Sequence, residues 1–342
     1  MTFSSYLQDH LNTHPAATGQ DVLKFCYQAA HGPEHLIVDP VLARLRFEQE
    51  FDATPATDGP LIDCLSDRFC RIHMGAWRAA ALPREWLLRL FLCSATPVAD
   101  AKDQLHRYLS DAAAHLSDPA FDDLVTHYRA DGAPPVHHSD AFRAAYLPAY
   151  RVVDCRLVRL LPVLEHLAAH SVTGRPTVIA IDGRAASGKS TVAQQLSDIL
   201  DAAVVHMDDF FLPPALRTSE RLATPGGNVH YERFAEQVLP HLGLNAPFCY
   251  DRFDCSVMRL TDTVSVPAAS YQIVEGSYST HPIFKDYADL RIFSDISPDE
   301  QFKRISVRNS ASMAELFKTR WIPMEETYFK AYHIRENATL II

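Results

Sequence analysis

Residues 178–200 read VIAIDGRAASGKSTVAQQLSDIL: an apolar, β-branched run, a glycine-punctuated turn, and a stretch with apolar residues at helical spacing. The turn fits GxxxxGK[ST] at Gly183, Gly188, Lys189 and Ser190, directly between the expected strand and the expected helix. Glycines let the backbone curl so that successive N–H groups converge on one point at a helix N-terminus, where the helix dipole also favours negative charge. The pattern predicts a phosphate cradle built from Gly183, Ala185, Ala186, Ser187, Gly188, Lys189, Ser190 and Thr191. Lys189 is expected to reach the β- and γ-phosphates of a nucleoside triphosphate, and Ser190 a magnesium ion.

Such a loop needs a strand behind it, and the sequence beyond it supplies more of them. Short runs at Val178 to Ile181, Ala203 to His206, Gln272 to Val274, Leu290 to Phe293 and Thr339 to Ile342 alternate with helical stretches, which implies a parallel sheet covered by helices. Before it, residues 1–170 read as mostly helical, with apolar spacing in Asp21 to Ala30, Val41 to Phe51, Trp77 to Phe91, Ala101 to Leu116 and Leu157 to Leu167. Thr18 is a candidate N-cap for a helix ending at Gly32, and Asp39-Pro40 is a cap followed by proline in the first turn. The only expected strand here is Phe69 to His73. The turn formers of residues 171–176, SVTGRP, mark a linker. The expectation is therefore a mostly α-helical domain over 1–170 and an α/β P-loop domain with a parallel sheet over 177–342.

A net charge of −10 over 342 residues argues against a nucleic-acid footprint, which needs clustered Lys and Arg. No apolar run reaches the roughly 18 residues that span a bilayer, and the start MTFSSYLQDHLNTH lacks the basic and apolar regions of a signal peptide. A cytoplasmic protein without membrane or nucleic-acid partners is expected, acting on a small molecule and with room for a homo-oligomer. Seven scattered cysteines without a CxxC pair suit reduced thiols.

Two acidic positions stand where an open α/β sheet presents its ligands, at the C-terminal ends of strands. Asp208 follows Val204-Val205-His206-Met207 and is the candidate to take a proton from an acceptor hydroxyl. Glu275 ends Tyr271-Gln272-Ile273-Val274 and suits magnesium or its waters. Each alone is also compatible with an ordinary surface carboxylate. Arg304 and Arg308, four apart on an expected helix from Asp299, share a face and are candidates for a lid that neutralises phosphoryl charge.

The loop Gly183 to Ser190, Asp208-Asp209-Phe210-Phe211, Gly226-Gly227-Asn228, Glu275-Gly276 and the pair Arg304/Arg308 together resemble the uridine kinase-like family of P-loop kinases. The resemblance covers about half of the chain. It implies transfer of the γ-phosphoryl group of ATP to a hydroxyl of a small metabolite, with uridine or a related nucleoside first among acceptors. It also implies Asp208 as general base, Ser190 and Glu275 as the magnesium site, and Arg304 and Arg308 as the lid. Where that family tends to carry an aspartate for ribose hydroxyls this chain has His230, which offers no ionised double acceptor. Neighbouring Arg221, Tyr231 and Arg233 are candidates to compensate or to select an anion. The alternatives are a kinase for another metabolite such as pantothenate, and a nucleotide-binding regulator that phosphorylates nothing.

Twelve of the 17 histidines precede residue 171. His31-Gly32-Pro33-Glu34-His35 matches HxxEH, but Gly32-Pro33 ends a helix and so separates the two histidines that would need one helix face. A capping turn is expected there, buried thiols at Cys64 and Cys70 near His73, a polar loop at His137-His138, and core positions for Trp77, Tyr146 and Tyr150.

Overall fold

The computed structural model describes residues 2–342, and the chain divides into two compact units, residues 1–168 and 169–342.

The first unit is mostly helical. Its helix Gly19–His31 starts with a capping box, in which the Thr18 N–H and hydroxyl both donate to Asp21 (2.9 and 2.8 Å), and ends at Gly32 with φ +62°. Asp39 caps Pro40–Ala53 through the N–H groups of Val41 and Leu42. The stretch expected as one helix from Trp77 to Phe91 is two, Met74–Ala79 and Arg84–Cys93, because Ala81 turns left-handed and Pro83 has no N–H to continue the ladder. Leu157 to Leu167 likewise divides into Cys155–Val158 and Leu161–Ala169, the latter with Pro162 in its first turn.

Phe69 to His73 has company. It is β2 of an antiparallel sheet β1-β2-β3 with β1 at Ile62–Cys64 and β3 at Tyr150–Asp154. Three further expectations are corrected. Cys70 is buried but Cys64 is exposed. The pair His137-His138 is not simply a polar loop, since His138 is buried, with Nδ1 2.8 Å from Asp21 and Nε2 2.7 Å from the Tyr150 hydroxyl. Trp77 is core, while Tyr146 and Tyr150 are half-buried.

The second unit is built on a five-stranded parallel sheet in the order β10-β9-β4-β8-β5, where β4 is Thr177–Gly183, β5 Ala203–His206, β8 Tyr271–Glu275, β9 Leu290–Ser294 and β10 Leu340–Ile341. β4 lies at the centre and every residue of it is buried, the burial typical of a parallel sheet with both faces covered. An antiparallel hairpin of β6, Phe248–Asp254, and β7, Arg259–Val266, was not anticipated: β7 is exposed along nearly its whole length and carries little apolar signal, so pairing with β6 decides it. Among the described residues no helix is long and apolar enough to cross a membrane.

Candidate functional site

Parallel order β4-β8-β5 sets three strand ends side by side. Glu275, the last residue of β8, is in register with Ile181 of β4 on one side and His206 of β5 on the other. The phosphate-type loop leaves β4 at Gly183 and enters the helix Lys189–Leu200 at Gly188. Three left-handed turns curl it, at Gly183 (φ +136°), Ala186 (+58°) and Gly188 (+104°). A Cβ on Gly183 would lie 2.1 Å from the Ser294 carbonyl oxygen, so only glycine lets β4 pass this close to the end of β9.

Inside this curl the Lys189 ammonium donates to the carbonyls of Gly183 and Arg184, 2.9 Å each. The Ser187 hydroxyl is buried and has no protein partner. Ser190 donates to Glu275 Oε2 at 3.2 Å, and His206 Nδ1 lies 2.6 Å from Glu275 Oε1. That hydrogen bond raises the His206 pKa against the opposing effect of burial.

The two acids after β5 part company. Asp209 turns away, accepting the Tyr250 hydroxyl at 2.8 Å. Asp208 faces a cleft and is open to it. The protein packed around it raises its carboxyl pKa, with Glu275 and Asp209 adding repulsion and Lys189 opposing. Gly276, just after Glu275, lets this approach happen: a Cβ there would meet Met207 Cβ at 2.8 Å.

The cleft has a volume of about 430 Å³, and its walls include Ala185, Ala186, Gly188, Lys189, Ser190, Thr191, Asp208, Glu275, Arg304 and Arg308. Arg304, held by Glu300 at 3.0 Å, reaches the Ala186 carbonyl at 3.4 Å. The other sequence candidates are elsewhere. Arg221 is bonded to the carbonyls of Gly227 and Val229 and to Glu232, and its guanidinium lies 3.6 Å from the Tyr231 ring centroid. His230 caps its helix, Nδ1 accepting the Arg233 N–H at 3.2 Å. Arg221 thus braces the Gly226–Val229 loop, and Arg221, His230 and Tyr231 line neither the cleft nor the cavity beside it.

That second cavity, about 340 Å³, shares Phe211, Ser277, Phe317 and Glu325 with the cleft and is bounded further by Arg217, Asn228, Arg320 and Trp321. Sequence reading missed Glu325. It is buried and accepts the Ala185 N–H (3.0 Å) and the Ser277 hydroxyl (2.7 Å), with burial raising its pKa. A signal existed: Glu325, Tyr328 and Phe329 are three and four apart, so this acid sits on the buried face of its helix. Asp182 was missed too, although an acid inside an apolar run has to find partners. Its Oδ1 accepts the N–H of Gly183 and Tyr278, and its Oδ2 the Thr280 N–H, the Thr280 hydroxyl and the Tyr328 hydroxyl.

In the first unit, His31 stacks on Tyr27 and His35 meets the same ring edge-on. Among the described residues no group of three or more His, Cys, Asp or Glu is placed to hold a metal ion.

No family model matches the chain, and no curated protein matches it. Among solved structures it is similar to a possible uridine kinase from Bacillus stearothermophilus, at 19% identity and TM-score 0.43 over 55% of this chain and 99% of that one. It is also similar to a proposed fructose transport system kinase from Silicibacter sp. TM1040, at 20% identity and TM-score 0.41 over 54% of this chain and 98% of that one. A D-glycerate 3-kinase from Cryptococcus neoformans matches at 15% identity and TM-score 0.35 over 50% of this chain and 86% of that one.

Proposed function

We propose that the second unit is an ATP- and magnesium-dependent kinase that phosphorylates a hydroxyl of a small metabolite. The observation that carries this reading is a single cleft lined by Lys189, Ser190, Asp208 and Glu275, with a separate cavity adjoining it. The loop fits a polyphosphate: its left-handed turns leave open space where a Cβ on Gly188 would stand, and the Ser187 hydroxyl is buried without a partner. The Ser190 hydroxyl and Glu275 carboxylate fit a magnesium ion, which when bound neutralises charge on phosphate oxygens.

The chain's own groups do the rest by position and charge. Lys189, resting on two carbonyls of its own loop, exchanges them for phosphate oxygens. Arg304 and Arg308 face the cleft from the helix Pro298–Arg308 and offset charge spreading over the transferring group. Asp208 orients the acceptor hydroxyl and takes its proton. A raised carboxyl pKa improves it as a base at neutral pH.

Uridine or a related nucleoside is the first acceptor to test, with pantothenate as the alternative. ADP release would be measured from ATP and magnesium against uridine, cytidine, nicotinamide riboside, pantothenate and simple sugars. Acceptor-dependent release that Asp208→Asn abolishes supports a kinase. Tight ATP binding with no acceptor-dependent release from any of them defeats it and favours a nucleotide-binding regulator.

A further inference from the structure

The cavity beside the cleft has a charge pattern that a neutral acceptor leaves unused. Its walls are mainly apolar, yet two arginines, Arg217 and Arg320, line it. Arg217 is anchored through Nε to the Leu212 carbonyl at 2.7 Å, and among the described residues no carboxylate pairs with it. Arg320 packs 5.0 Å from the Trp321 ring centroid and likewise has no acidic partner there. Both belong to a chain rich in acids, with 42 Asp and Glu against 32 Lys and Arg, where arginines beside a cavity would ordinarily find an acid.

The remaining polar atoms point the same way. Asn228 is 6% exposed, lines the cavity, and its Oδ1 has no protein partner, so a hydroxyl or amide N–H of a ligand would satisfy it. Glu325, the acid on the cavity wall, has its oxygens engaged with the Ala185 N–H and the Ser277 hydroxyl. Arg320 and Trp321 sit on a π-helical turn, Phe317–Trp321, a rare wide turn found mostly as single-turn bulges at functional sites. Phe211 lines both this cavity and the cleft that Asp208 faces.

From this we infer that the acceptor is an anion: a hydroxylated carboxylate whose apolar part fills the cavity, whose carboxylate is met by Arg217 and Arg320, and whose hydroxyl reaches Asp208. The inference rests on the kinase reading of the same site. Planar guanidinium groups match a carboxylate in a partly apolar setting better than an ammonium does, and charge-assisted hydrogen bonds there are the strong kind.

The test separates the two readings because it reads binding without turnover. Trp321 lies on the cavity wall, and the other two tryptophans, Trp77 and Trp86, are buried in the first unit. Fluorescence of the full chain would be titrated with three matched pairs: D-glycerate and glycerol, pantothenate and pantothenol, phenyllactate and phenylpropanediol. The expected result is that at least one carboxylate binds roughly tenfold or more tighter than its neutral partner. Arg217→Gln and Arg320→Gln should each erase most of that preference while ATP affinity stays within about twofold of the parent, which also reports an intact fold. Equal or better binding of the neutral member in all three pairs, or a preference that survives both substitutions, overturns the inference even if uridine proves to be phosphorylated. Carboxylate preference without ADP release from any acceptor would keep the anion site and remove the kinase reading.

Discussion

Asp182→Asn is the most informative single-atom change the fold offers. The Asp182 carboxylate is 1% exposed and gathers five donors: Gly183 N–H at 2.7 Å and Tyr278 N–H at 3.1 Å on Oδ1, then Thr280 N–H at 3.0 Å, Thr280 hydroxyl at 2.7 Å and Tyr328 hydroxyl at 2.8 Å on Oδ2. It thereby ties the end of β4 to the loop after β8 and to the helix Ile322–Tyr332. An asparagine can be turned either way. With its NH₂ toward Oδ1, two backbone donors face a donor. With its NH₂ toward Oδ2, the two hydroxyls can rotate to accept, and only the Thr280 N–H is orphaned. The second arrangement is the cheaper one. An orphaned buried N–H costs about 1–3 kcal/mol, and turning charge-assisted bonds into neutral ones removes about 1 kcal/mol each, partly offset by no longer burying a charge. The net expectation is a loss of about 3 kcal/mol, with Asp182→Ala worse because three backbone donors then face a void. The assay is native-state hydrogen exchange resolved by peptide across a urea series, so that residues 177–183 and 271–281 are read separately from the first unit. An Asp182→Asn protein within about 0.5 kcal/mol of the parent in those peptides would refute the carboxylate as the hub of this network.

Other outcomes follow from the same geometry. Gly183→Ala puts a Cβ 2.1 Å from a backbone oxygen at φ +136°, so a loss above about 3 kcal/mol is expected in urea unfolding of the second unit; an unchanged midpoint would contradict it. Lys189→Ala should lower ATP affinity roughly tenfold or more by calorimetry, while removal of two carbonyl bonds costs about 1–2 kcal/mol of stability; unchanged affinity would exclude Lys189 from the phosphate site. Acid should loosen the first unit, because burial lowers the pKa of His10, His35 and His138 from 6.5, to about 4 for the first two and about 3 for His138. A histidine with a depressed folded pKa binds fewer protons than its unfolded form, so its unfavourable contribution grows as pH falls from about 6.5 to about 4, by roughly 3 kcal/mol for His10. Peptide-resolved exchange at pH 4.5 and 7 checks this, and first-unit peptides equally protected at both would count against it.

The loop from Gly183 to Ser190 was legible because its chemistry is local: glycine placement, a strand before and a helix after are all encoded within about 20 residues. Helix caps at Thr18 and Asp39 were legible for the same reason. Glu275 and Asp208 could be located at strand ends, but that Ser190 and His206 share the Glu275 carboxylate depends on β4 and β5 flanking β8, an order that no local pattern contains.

The same divide explains the residues that moved. Arg221 and His230 sit in a segment where the family resemblance implies substrate contact, and in the fold Arg221 donates to the backbone carbonyls of Gly227 and Val229 while His230 accepts an N–H at a helix start. Arg217, Arg320, Asn228 and Glu325 come from three separated stretches and share a cavity only after the chain has folded. By itself the sequence determined the phosphate loop, the helix caps and the strands of the parallel sheet, since spacing, glycines and caps act over a few residues. Tertiary structure alone decided which charges meet and which stay unpaired, because electrostatic partnership depends on distances through space that the order of residues does not record.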